Sequence, residues 1–109
     1  MKPKIFLISF ATTTWAKSKE RLQKQYNQIQ KQKHIFEDAM FFDENSEMMA
    51  DYIKSFKPYL EMHGFALYTW KPFICLKVLE NINPDDFVLY VDGGCSLPVD
   101  RVNKFEQCI

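Results

Sequence analysis

FVLYVDGG, residues 87–94, runs through five apolar or aromatic residues into an aspartate and two glycines. Five such residues in succession suit a strand buried on both faces, as in a parallel sheet. A chain turning a corner needs glycine. It does not need a carboxylate, so Asp92 at the strand's tip points to a ligand, a metal ion or a helix end.

The rest of the chain supplies the partners of that strand. Lys4–Phe10, KIFLISF, is a second nearly continuous apolar run, followed by the hydroxyl-rich loop Ala11–Thr14. Thr13 or Thr14 is placed to cap a helix from Trp15 to Gln32, with Trp15, Leu22, Tyr26 and Ile29 on its apolar side. His34–Phe42 reads as another strand, and residues 46–62 as a second helix, interrupted at Pro58 and stopped by Gly64. Trp70-Lys71-Pro72 opens a third helix with Pro72 in its first turn. Phe73, Leu76, Val78, Leu79 and Ile82 supply its apolar face. Asn83-Pro84-Asp85-Asp86 is a turn into the 87–94 strand, and a further helix begins after Pro98.

Strand, helix, strand, helix, helix, strand predicts an α/β fold. Its sheet is mostly parallel and open, with flanking helices, and residues 1–109 form a single domain. In such sheets ligands collect outside the carboxyl ends of the strands. Two places qualify: Ser9–Thr12 after the first strand, and Asp92–Gly94 after the third.

Composition narrows the function classes. Formal net charge is zero, so bulk charge does not advertise a nucleic-acid partner. The charge is uneven, however. Residues 1–34 hold eight Lys or Arg against one Glu, and residues 35–109 hold six against thirteen acidic residues. The basic segment reads first as a solvated helix face and second as a rim near an anionic ligand. Cys75, Cys95 and Cys108 have no metal-ligand spacing and read as reduced thiols of a cytoplasmic protein. His34 and His63 stand at no ligand spacing and read as structural. No stretch approaches the length of a membrane span.

Three blocks resemble a known family. ISFAT at 8–12, the segment with Gly64-Phe65 and Trp70-Lys71-Pro72, and Tyr90-Val91-Asp92-Gly93-Gly94 are similar to the N-terminal half of GT-A-type glycosyltransferases. The likeness is greatest to a bacterial and viral group associated with capsular or other surface polysaccharides. The resemblance implies a GT-A-like (Rossmann-like) nucleotide-sugar-binding half. It implies transfer of a sugar from a nucleotide-sugar donor to a saccharide acceptor, and a longer chain that supplies the acceptor side and any catalytic base. Many GT-A enzymes carry Asp-x-Asp at this strand end; here the second position of the pair is Gly94.

The chemistry such a reaction needs can be matched to residues. Negative charge develops on the departing diphosphate, and a metal ion, a cation or a helix N-terminus stabilises it. Manganese or magnesium needs only one or two protein carboxylates, so Asp92 alone can serve as the metal ligand, or it would contact ribose. Gly93 and Gly94 would permit close approach of the ligand. Lys71 at a helix start favours an anion. Ser9, Thr12 and Thr13 can hydrogen-bond a base or ribose, and Trp70 can stack on one. Lys17, Lys19 and Arg21 reach phosphate only if the first helix starts at the same edge. Each has a plain structural rival: a turn cap for Asp92, a core ring for Trp70, local backbone bonds for Ser9 and Thr12. Asp85-Asp86 precede a strand and belong to the wrong end of the sheet. The alternative function is an inactive nucleotide-binding or protein-interaction module, including a homo-oligomer formed through the open sheet edge.

Overall fold

A computed structural model describes residues 3–59 and 70–108 of the chain. Gly64, expected to end the second helix, the Gly64-Phe65 pair and His63 lie outside the described residues.

Three strands form one parallel sheet in the order β2-β1-β3, with β1 at Ile5–Phe10, β2 at Asp38–Phe42 and β3 at Phe87–Tyr90. Central β1 pairs Leu7 with Ala39 on one side and with Leu89 on the other. Alternation along the strands then builds two cores. Ile8 and Phe10, with Met40, Phe42, Val88 and Tyr90, face one layer. Leu7, with Ala39, Phe41 and Leu89, faces the other. Helices α2 (Ala50–Phe56) and α3 (Trp70–Leu79) cover the first face; α1 (Ala16–Gln32) and α4 (Val102–Gln107) cover the second. Burial on both faces is why β1 reads as an unbroken apolar run rather than an alternating one. The expectation of a small α/β domain with a parallel sheet and flanking helices holds for the described residues.

Four details differ from the sequence expectation, each for a physical reason. The first helix has no threonine cap. Thr13–Trp15 forms a single 3-10 turn, which puts Thr13 and Thr14 inside the turn and Thr12 and Trp15 at the cap positions, with no side-chain cap bond at either. Trp15 is not on the apolar face; it is 65% exposed. The second strand starts at Asp38 and not at His34. Gln30 Oε1 accepts from the backbone N–H groups of Ile35 and Phe36, and Gln30 Nε2 donates to the Phe36 carbonyl, so those groups are withdrawn from the ladder. Finally, α3 buries Trp70, Ile74 and Val78, while Leu76 and Leu79 are exposed. Spacing by four keeps a helical stripe on one side. Leu76 and Leu79 project about 160° and about 140° away from Ile74.

The Gln30 side chain therefore ties the α1–β2 connection over the fully buried Phe36 ring. Gln30→Ala leaves three backbone groups beside that ring without their partner. The expected loss is about 1–3 kcal/mol of unfolding free energy, read from urea denaturation. A change below about 0.5 kcal/mol would mean that water replaces the clamp at no cost.

Candidate functional site at the carboxyl edge of the sheet

The chain leaves β1 through α1 on one face, and reaches β3 from β2 through α2 and α3 on the other. β1 and β3 are neighbouring parallel strands, and open α/β sheets keep their ligand sites outside the carboxyl ends of such strands. Ala11-Thr12 and Val91–Gly94 meet there. Ala11 continues the ladder by donating to the Phe42 carbonyl at 3.0 Å, and Val91 donates to the Ile8 carbonyl at 2.9 Å. The Cys95 N–H then returns to the Asp92 carbonyl at 2.9 Å, closing a tight turn over Asp92-Gly93-Gly94-Cys95.

That turn is held from outside by one stripe of α1. Arg21 donates to the Gly93 carbonyl (3.1 Å) and to the Ser96 hydroxyl. Gln25 Oε1 accepts from the Leu97 N–H at 2.8 Å, and Gln32 Nε2 donates to the Val99 carbonyl at 2.8 Å. Sequence reading assigned these basic and amide residues to a solvated face. Their spacing of four and then seven is a signal for one common side of the helix, but only the fold shows that a loop lies along it. Arg21 takes neutral acceptors in both bonds, so no carboxylate among the described residues pairs with its positive charge.

Beneath the turn lies an aromatic row. The Phe10 and Trp70 ring centroids are 4.4 Å apart, and Trp70 and Tyr90 are 6.1 Å apart. The row brings the start of α3 to the carboxyl ends of β1 and β3. Lys71 Nζ lies over both ring faces, 5.6 Å from the Trp70 centroid and 5.9 Å from that of Tyr90. Burial, then the negative charge of Asp92, push the Tyr90 phenol far above its ordinary value, so it keeps its proton. The Tyr90 hydroxyl is buried and has no hydrogen-bond partner among the described residues.

The residues expected at the site divide into two groups. Asp92 and Gly94 lie exposed on the turn, and the Asp92 carboxylate makes no hydrogen bond or ion pair with the described residues. Lys71 and Thr12 are half-buried at the rim. Ser9 is 3% exposed and, by alternation, shares the Leu7 face under α1 rather than the rim. Trp70 is 5% exposed within the aromatic row. The space Gly93 leaves is taken by the chain itself: a Cβ there would stand 3.3 Å from both Ala11 Cβ and the Phe10 carbonyl oxygen. Gly93 thus lets the two loops abut, whereas a Cβ on Gly94 would meet nothing within 4 Å.

The start of α1 does lie at this edge, as phosphate contact by its cations would require. Lys19, however, is paired with Asp43 at 3.0 Å, and Thr13 donates its N–H and its hydroxyl to the Glu44 carboxylate. Among the described residues no group of three or more His, Cys, Asp or Glu is placed to hold a metal ion. Asp85-Asp86 sit at the opposite edge, where Asp86 accepts from the Lys4 N–H at 2.9 Å and pins the start of β1 to β3. All three cysteines are free thiols, and burial raises Cys75 above its ordinary value.

The Lys19 hydrogen bond, first among several causes, holds the Asp43 carboxyl below its ordinary value. A depressed carboxyl stabilises the fold above its unfolded value of about 3.9. That stabilisation is lost as pH falls through the folded value. Lys19→Met should therefore flatten the acid limb of melting temperature against pH, from about pH 5 down to about pH 2. An unchanged acid limb would show that the pair has no part in it. Comparison of the chain with protein-family models, with curated proteins and with solved structures finds no match.

Proposed function

We propose that this domain is the donor-binding portion of a GT-A-like glycosyltransferase. The diphosphate of a nucleotide sugar would sit at the carboxyl ends of β1 and β3. One observation carries the reading: an exposed Asp92 carboxylate, without a partner among the described residues, on a turn that α1 holds at the carboxyl edge of the sheet. The Trp70-Lys71-Pro72 and Tyr90–Gly94 resemblances point to the same edge from the sequence side.

In this reading Asp92 contributes one carboxylate to a manganese or magnesium ion, whose remaining positions phosphate oxygens and water fill. Bound there, such an ion would neutralise charge on the leaving diphosphate. Arg21, bound to the turn, and Lys71, over the Trp70 and Tyr90 rings, would add positive potential at this edge. Gly94 leaves the turn open to the ligand. Trp70 and Gly93 support the site from beneath, and the saccharide acceptor approaches from beyond the turn.

A second reading is favoured by a specific observation. Thr13, Lys19 and Arg21 are all engaged in holding loops together. A domain that uses its rim in this way suits a module that binds a nucleotide without turning it over. Calorimetric titration with UDP, GDP, CMP and their sugar conjugates, with and without manganese, separates the outcomes. Selective binding of one nucleotide supports the donor site and names its class. Hydrolysis or transfer of the bound conjugate favours the enzyme, and binding without turnover favours the module. No binding to folded protein refutes both.

A further inference from the structure

The amino edge of the sheet carries a cleft of about 320 Å³ on the face that α2 and α3 cover. Small-molecule sites usually measure about 300–1,000 Å³. The floor is apolar. It is built by Phe6 of β1, Met40 of β2, Met48 in the 3-10 turn ahead of α2, Val78 of α3 and Ile82 just beyond α3. Val78 is buried, and the other four are half-buried. Two of the five are methionines, whose unbranched side chains adapt to an occupant.

The polar groups at the mouth are left with acceptors. Asp86 Oδ1 accepts from the Lys4 N–H at 2.9 Å, and Asp38 Oδ1 accepts from the Ala39 N–H at 2.8 Å. Backbone thus holds one oxygen of each carboxylate, and the other has no partner among the described residues. Asn81 Nδ2 donates to the Lys77 carbonyl at 2.8 Å, which leaves Asn81 Oδ1 as an acceptor. Lys4 also lines the cleft, but its ammonium pairs with Glu37 at 3.8 Å. The end of α3 adds an independent contribution. Val78 lines the cleft and α3 stops at Leu79, so the helix's carboxyl end, with its partial negative charge, lies at the same place. We propose that this cleft binds a small organic amine. Its protonated nitrogen would be held by Asp38, Asp86 and Asn81, and its apolar body would lie on the Phe6, Met40 and Met48 floor. A carboxylate or phosphate would meet two like charges and the negative helix end. An uncharged apolar molecule would leave both carboxylates without a counter-charge. A bare metal ion has no use for the floor, and no group of three ligating residues stands here among the described residues. The site is at the opposite edge from Asp92 and does not depend on the donor-site reading.

The test is an amide chemical-shift titration of the isotope-labelled whole chain at neutral pH. The probes are 2-phenylethylamine, 2-phenylethanol and phenylacetate, which share a ring and differ in charge. The expected result is saturable shifts at Phe6, Asp38–Met40, Val78–Asn83 and Asp86 with the amine. The alcohol and the acid should bind at least about tenfold more weakly, the effect of losing one charged hydrogen bond. Asp38→Asn and Asp86→Asn each keep an oxygen for the backbone N–H they accept from, and each should weaken amine binding about tenfold. Asp85→Asn makes the same charge change in the same turn but outside the cleft, and should bind like the parent. The amide spectrum of each free variant confirms that its fold is intact. The proposal is overturned by the absence of saturable shifts at these residues, by equal binding of the alcohol or the acid, or by equal weakening in Asp85→Asn.

Discussion

Replacing Trp70 by alanine lowers the unfolding free energy by about 3–5 kcal/mol. Domains of this kind have roughly 5–15 kcal/mol in total, so a large unfolded fraction is expected at ordinary temperature. The ring is 5% exposed, packs against Phe10 at 4.4 Å between centroids, and touches the row that ends in Tyr90. Its removal opens a cavity under the whole carboxyl edge and takes away one of the two faces that Lys71 covers. Trp70→Phe keeps most of that contact and should cost far less. The pair also discriminates between two roles. A core ring predicts that Trp70→Phe, once folded, binds nucleotide like the parent; a stacking platform predicts weaker binding in a domain of near-normal stability. Thermal melts of both variants with one nucleotide titration decide the matter.

Much of this was legible in the sequence because β-strand burial leaves a strong trace. KIFLISF and FVLYV carry too many consecutive apolar residues for surface strands, and both proved to be sheet members with helices on each face. The turn at Asn83–Asp86 was legible from Pro84 and its flanking amides and acids, and its place at the amino edge followed from strand direction. What the sequence hid depends on contacts between distant segments. Gln30, Gln25 and Arg21 look like surface residues of a basic helix until the loops they bind are placed beside them. Leu76 and Leu79 look like core residues because a spacing of three resembles a helical period, yet it drifts about 60° per step. Gly93 looked like clearance for a ligand, and its clearance is used by Ala11. Asp92 stands exposed two residues beyond the end of β3, where the length of the apolar run placed it.

Replacing Asp92 by alanine is expected to weaken manganese-dependent nucleotide diphosphate binding by about 10–100-fold, the effect of losing one charged contact to a ligand. Stability should barely change, because the carboxylate is exposed and makes no hydrogen bond or ion pair with the described residues. The turn itself is held by backbone and by Arg21, so the loop remains in place. Asp92→Asn should retain hydrogen bonding to ribose but lose the metal contribution. The asparagine variant therefore separates the two roles: metal-free binding survives in it, and the manganese increment does not. Asp100→Ala, an exposed acid further along the same loop, is the charge-matched control and should bind like the parent. Equal weakening by Asp100→Ala would reduce the effect to general electrostatics.

The claim that the carboxyl edge between β1 and β3 is the ligand site is tested most directly by amide chemical-shift mapping. Isotope-labelled protein would be titrated with the nucleotide diphosphate that binds in calorimetry, in the presence of magnesium. The predicted result is that the largest shifts fall on Ala11–Thr13, Lys71 and Asp92–Ser96, with Lys4, Glu37 and Asp86 at the opposite edge unmoved. Shifts clustered at Lys4, Glu37 and Asp86, or none at saturating nucleotide, would contradict it.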